Sequence, residues 1–181
     1  MSFHSLRFKK LDTGVSYHNP DHLTFNHVKL TDPAIKVMTD LKHVQAITVS
    51  PTTRIDDALK IMIDKGVRML FVIDFNHQIV GLVTTNDIYG EKPVQISGSS
   101  KILRNEISVK DLMIPVDKID VLEIKDVSDA RVGDIMETLE SVSRRHVLVV
   151  DHQGEGNKTT MRGIFSMSKI EKHLGLTNVA V

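Results

Sequence analysis

Between residues 55 and 74 apolar side chains recur at Ile55, Ala58, Leu59 and Met62, the i, i+3, i+4, i+7 spacing that lays one stripe along a helix. The stripe stops near Gly66, and the pattern changes to the unbroken run Met69-Leu70-Phe71-Val72-Ile73 before Asp74. A run of that length without polar alternation predicts a strand covered on both faces. The same features return 77 positions later without a gap. Val132, Ile135, Met136 and Leu139 repeat the helical spacing, and Val147-Leu148-Val149-Val150 runs into Asp151. Upstream, Ala34-Ile35-Lys36-Val37-Met38-Thr39 is matched by Val109-Lys110-Asp111-Leu112-Met113-Ile114, with short strands predicted at 46–49 and 121–124. Downstream, Gly81-Leu82-Val83-Thr84 is matched by Gly163-Ile164-Phe165-Ser166. Each copy therefore predicts a helical lead-in, strand, helix, strand, hairpin, strand and helix.

One copy of roughly 60 residues buries too little surface to be comfortable alone, so two copies packed sheet to sheet are the expected solution. The predicted fold is α/β (α+β), with two pseudo-symmetric units, each a small three-stranded sheet packed with helices. The chain divides into an N-terminal arm (1–30), a first unit (31–90), a linker (91–107), a second unit (108–175) and a tail (176–181). In the linker, Pro93 and Ser97-Gly98-Ser99-Ser100 are expected to break any regular element. The second hairpin, residues 152–162, is the longer one, and Gly154, Gly156 and Asn157 predict a flexible loop. The arm carries four of the nine histidines with Phe3, Phe8, Tyr17 and Phe25, too apolar a set for a free tail, and is expected to dock.

Composition narrows the function classes. Of 181 residues, 41% are hydrophobic and 25% charged, which argues against wholesale disorder. Lys plus Arg (23) balances Asp plus Glu (23), removing the electrostatic footprint of a nucleic-acid or acidic-membrane binder, although a local cluster could still hold a small anion. With no cysteine, thiol nucleophiles and Cys-type zinc sites are excluded. Residues 1–14 have no apolar segment of the signal-peptide kind, and the apolar runs are strand-sized, so a cytoplasmic location is expected. His18, His22 and His27 fall within ten residues, but Asn19-Pro20-Asp21 interrupts any continuous helix face, and no metal site is read there.

The two copies of this pattern, ending in the first at Gly81-Leu82-Val83-Thr84-Thr85-Asn86-Asp87, resemble a tandem cystathionine beta-synthase (CBS) domain pair, or Bateman module, over about residues 31–175. The resemblance implies a regulatory module that binds adenosine-containing ligands in clefts between the copies and often dimerises. It implies no catalytic cofactor, only an adenine nucleotide or adenosyl compound as regulatory ligand, and an effector protein still to be identified.

Thr84 and Asp87, between a strand and a helix, admit two readings. A carboxylate there accepts hydrogen bonds from the 2' and 3' hydroxyls of a ribose while the Thr hydroxyl and helix-start N–H groups face a phosphate. Alternatively Thr84 caps the helix and Asp87 favours its positive end. The family resemblance assigns ribose to Asp87 and phosphate to Thr84. In the second copy Ser166 keeps the hydroxyl but Lys169 stands where the carboxylate should be, and a lysine cannot accept from a ribose. Lys169 could hold a phosphate of a ligand seated in the first cleft, or could face solvent. Arg68 begins the middle strand of the first copy and Arg144, Arg145 and His146 that of the second, where the resemblance places phosphate contacts. Ile47, Thr48 and Val49 are expected to line the base.

Three functions remain on these grounds: a ligand-sensing module, a structural module with dead pockets, and a nucleotide-processing enzyme, which lacks any accompanying metal-binding carboxylate cluster. A homodimer is expected, with Ile61, Ile63 and Leu139 among the apolar helix residues to be covered.

Overall fold

The computed structural model describes residues 28–100, 102–153 and 158–176. Most of the arm, His18, His22 and His27, and the tip of the second hairpin with Gly154, Gly156 and Asn157 lie outside the described residues.

The stripe from Ile55 forms helix α1 (Ile55–Lys65), burying Ile55, Ala58 and Met62. It ends where Gly66 takes a left-handed φ of 63°, a conformation glycine adopts without a Cβ clash. Strands β1 (Thr39–Asp40), β2 (Thr48–Val49), β3 (Met69–Ile73) and β4 (Ile79–Thr84) accompany it, followed by α2 (Thr85–Tyr89) and α3 (Lys92–Ser100). The second copy supplies α4 (Val109–Leu112), β5 (Ile114–Pro115), β6 (Val121–Glu123), α5 (Ile124–Asp129), α6 (Val132–Ser141), β7 (His146–Gln153), β8 (Lys158–Ser166) and α7 (Met167–His173). The lead-in of the first copy is a 3-10 turn, Ala34–Val37.

The linker differs from expectation. α3 runs through Pro93 and the serines, because a proline in the first helical turn sacrifices no hydrogen bond and Ser99 returns its hydroxyl to the carbonyls of Gln95 and Ile96 at 2.9 and 3.3 Å.

Each sheet has four strands rather than three. The orders are β2-β3-β4-β5 and β1-β8-β7-β6, so the fourth strand of each sheet comes from the lead-in of the other copy. β5 pairs antiparallel with β4, Gly81 opposite Pro115, and β1 pairs with β8, Asp40 opposite Gly163. The glycines permit this crossing. A Cβ at Gly81 would sit 2.6 Å from the Ile114 carbonyl oxygen, and one at Gly163 would meet the Met38 side chain.

Alternation along the buried strands separates three cores. Leu70, Val72 and Val83 face the helices of the first copy, with Met62, Ile88, Ile107 and Leu112. Val149 and Phe165 do the same in the second, with Val132, Ile135, Leu139 and Ile170. Met69, Phe71, Leu82 and Leu148 point the other way and meet between the sheets. This is the face-to-face packing expected of strands apolar on both sides. Leu139 belongs to its own core and is fully buried, so it is not part of a face awaiting a partner. Ile63, by contrast, is 68% exposed.

Candidate functional site

Where the two sheets open, a cleft of about 570 Å³ is lined from both copies. The first contributes Arg68, Met69 and Leu82, then Thr84, Asn86, Asp87 and Tyr89 around the start of α2. The second contributes Ile114, Lys118, Ile119 and Asp120 from the approach to β6, and Arg144, Arg145 and His146 from the start of β7. Of the residues singled out in the sequence, the fold thus brings together Asp87, Thr84, Arg68, Arg144, Arg145 and His146.

Thr84 and Asp87 form a complete helix cap. The Asp87 Oδ2 accepts from the Thr84 N–H at 2.9 Å and the Thr84 hydroxyl at 2.7 Å, and the Asp87 N–H donates to Thr84 Oγ1 at 3.3 Å. Ser108 and Asp111 make the same cap outside the cleft lining, with distances of 2.8 and 2.7 Å to Asp111 Oδ2. The cap alone is therefore not a ligand signature. What distinguishes Asp87 is its other oxygen: Oδ1 turns to the Lys92 ammonium at 3.1 Å, with the carboxylate side chain 11% exposed at the cleft edge.

The cations divide into committed and uncommitted ones. Arg145 holds Glu171 at 3.3 and 3.5 Å, and Arg144 holds Asp120 at 2.6 Å. Arg68 occupies the place of Arg145 in the first copy, and its carbonyl accepts from Thr85 N–H as that of Arg145 accepts from Met167 N–H. The residue matching Glu171 is there Tyr89, so Arg68 makes no side-chain ion pair among the described residues. The same holds for Lys118. Burial, and after it the positive charges of Arg145 and Arg68, hold the His146 imidazole below its ordinary value. The cleft is consequently a place where added negative charge is favoured.

Lys169 and Ser166 lie elsewhere. The Lys169 ammonium donates to the Met38 carbonyl at 3.2 Å and to Thr39 Oγ1 at 3.0 Å, closing on the lead-in of the first copy, and burial pushes its pKa down. Ser166 shares its hydroxyl with Ser168 at 2.9 Å, and Ser168 reaches the cleft. Ile47, Thr48 and Val49 are not among the cleft lining; Thr48 and Val49 line a separate open groove with Phe75 and His77. The strand register explains this. Thr48 pairs with Phe71 as Val121 pairs with Leu148, so Ile119 and Asp120 are the counterparts of Ala46 and Ile47. The wall beside Asp87 comes from the opposite copy, as a pseudo-two-fold arrangement requires. The repeat as read from the sequence, 46–49 against 121–124, pointed two residues beyond Ile119 and Asp120, and local sequence carried no signal for Lys118 or Lys92.

Residues 34–92 match the family model of the CBS domain, and the fold is that of solved CBS pairs. Residues 34–92 are thus a CBS domain, and the chain has the fold of a CBS pair. The CBS-pair protein CBSX2 from Arabidopsis thaliana is similar at 25% identity and a TM-score of 0.51, covering 78% of this chain and 92% of its own. A structure of CBSX2 in complex with AMP is similar at 24% identity and a TM-score of 0.50, over 78% of this chain and 94% of that one. The CBS domain pair of MJ0100, solved with 5'-methylthioadenosine and S-adenosyl-L-methionine, is similar at 19% identity and a TM-score of 0.50, over 78% and 98%. An uncharacterized protein from Methanopyrus kandleri, MK0525, is 32% identical over 66 residues, 36% of this chain and about a third (34%) of the length of that relative. Among the described residues no helix is long and apolar enough to cross a membrane.

Proposed function

We propose that the protein is a non-catalytic regulatory module whose cleft binds one adenosine phosphate and passes occupancy to a partner protein. One observation carries this reading: Asp87 and the uncommitted Arg68 of one copy face Lys118 and the arginine-rich start of β7 of the other across a single cleft. Asp87 would receive the ribose hydroxyls, Arg68 and Lys118 the phosphate, and Ile114 and Ile119 the base. A ligand touching both copies binds best in the geometry that brings them together, and that differential affinity is what coupling requires. The bound AMP of CBSX2 and the adenosyl ligands of MJ0100 support the class of ligand. The surplus of cations here favours a phosphate over a sulfonium. The corresponding place in the second copy, where Lys169 is tied to Met38 and Thr39, is read as structural. The exposed Ile63 on α1 supports a homodimer, which light scattering at tens of micromolar would show.

A second reading, a structural module with no functional ligand, is favoured by the completeness of the Thr84–Asp87 cap. Native mass spectrometry separates the two. Mass additions matching one AMP, ADP or ATP per chain support the sensing module, and none with any of adenosine, AMP, ADP, ATP or S-adenosylmethionine supports the structural one.

A further inference from the structure

The Lys92 ammonium holds three elements at once. It stands at the first residue of α3, reaches back to Asp87 Oδ1 on α2 at 3.1 Å, and donates to the Leu112 carbonyl at the end of α4 at 3.3 Å. Helix-terminal carbonyls have no partner within their own helix, and a cation satisfies them well. Two residues beyond Leu112, β5 begins, and its Ile114 is both a wall of the cleft and the partner of Leu82 on β4. β4 leads directly into Thr84, which caps α2 through Asp87. The contacts form a closed circuit: Asp87, Lys92, Leu112, β5, β4, Thr84 and again Asp87.

The second copy has the same device with one part replaced. There Lys169 occupies the Asp87 position and itself reaches the lead-in, at Met38 and Thr39, just before and at the start of the exchanged strand β1. No carboxylate intervenes, so that clasp has nothing for a ribose to compete with. In the first copy the clasp runs through the carboxylate.

We propose that Lys92 is a displaceable latch: a ribose diol arriving at Asp87 takes Oδ1 from the Lys92 ammonium, and loss of that anchor loosens α3 and the α4–β5 lead-in of the second copy. This rests on the ribose role of Asp87 given above. Oδ2 is fully engaged by the cap, so Oδ1 is the oxygen a diol can use, and Lys92 stands on it. Ile114 of β5 is itself part of the cleft wall, and β5 lies so close on β4 that a Cβ at Gly81 would come within 2.6 Å of the Ile114 carbonyl oxygen. Occupancy of the cleft is thereby read out at α3 and α4.

The test is brief amine acetylation of the full chain with and without saturating adenosine, mapped by mass spectrometry, beside calorimetry of the same samples. Adenosine lacks phosphate, so any change at Lys92 reports the ribose and base alone. The expected result is a several-fold faster modification of Lys92 on binding, with Lys169 unchanged. Lys92→Met, which removes the competitor, should bind adenosine about two- to five-fold more tightly, the weight of a partly exposed ion pair. Adenosine bound by calorimetry with Lys92 no more reactive, or weaker binding by Lys92→Met, overturns the latch while leaving the ribose site standing. No adenosine binding at all overturns both.

Discussion

Both oxygens of Glu171 are taken by the Arg145 guanidinium, at 3.3 and 3.5 Å, whereas the matching position beside Arg68 holds Tyr89. Two arginines that are equivalent in the repeat therefore enter the cleft in different electrostatic states. An arginine already forked onto a carboxylate must give up that pair to meet a phosphate, and a free one need not. Arg68→Ala should weaken AMP binding by about ten-fold or more and leave adenosine nearly unchanged, since a hydrogen bond to a charged group contributes roughly 1.5–3 kcal/mol. Arg145→Ala should cost AMP less than Arg68→Ala does. Titration of adenosine and AMP into the two variants checks the order.

Asp87 holds a helix cap and, in the function proposed above, also receives the ribose, so its removal should show both effects. Loss of a helix cap costs about 0.5–2 kcal/mol, or a few degrees in melting temperature for a chain of this size. Asp111→Ala, which breaks the same cap outside the cleft, should cost a similar few degrees. Only Asp87→Ala should also weaken adenosine and AMP alike, by about ten-fold or more. Equal adenosine affinity in Asp87→Ala and wild type would remove the ribose role and leave the cap.

His146 gives the cleft a pH signature. Its pKa is lowered in the folded protein by burial and by the Arg145 and Arg68 charges. The unfolded chain then binds more protons between the ordinary imidazole value of about 6.5 and the lowered folded value, so this residue's contribution to stability is present above about 6.5 and lost progressively as pH falls from there through the folded value. Chemical denaturation of wild type and His146→Gln between pH 5 and 8 should show the variant flatter on the acid side. A phosphate in the cleft reverses the local field and should draw a proton onto His146. At pH near 6, where the AMP phosphate also titrates and sheds protons in a cationic cleft, the His146 share is read by difference: the wild type should take up more protons, or release fewer, on binding AMP than His146→Gln, seen in the buffer dependence of the calorimetric heat.

The exchanged strands make a prediction about packing. A methyl at Gly81 would strike the backbone oxygen of Ile114 at 2.6 Å, whereas one at Gly163 would strike only the flexible side chain of Met38. Overpacking against backbone costs about 1–3 kcal/mol. Gly81→Ala should therefore lower the urea midpoint clearly, and Gly163→Ala less, although the two glycines are counterparts in the repeat.

Much of this architecture was legible in the pattern of apolar positions. Met69–Ile73 is found with the boundaries its unbroken run implied, and the stripe at Ile55, Ala58 and Met62 is the buried face of α1. What was not legible depends on distance. β1 and β5 are two residues each, too short to carry a period, and their partners lie in the other copy. α3 was obscured because proline and serine act as breakers mid-helix but are tolerated at its first turn and as back-bonding residues. In the cleft, Thr84, Asp87 and Arg68 stood out because they belong to one continuous segment. Ile119 and Asp120 were hidden because the cleft is built across a pseudo-two-fold axis, and Lys92 because its meaning comes only from the carboxylate and carbonyl it reaches.

The central claim is that one cleft per chain, the one beside Asp87, receives an adenosine phosphate, while the counterpart position held by Lys169 receives none. Calorimetric titration of AMP into the wild-type protein tests it most directly. Saturation at one AMP per chain, lost or strongly weakened in Asp87→Ala and retained in Lys169→Ala, is the predicted result. Two equivalent AMP sites per chain, or no binding by a folded protein, would contradict it.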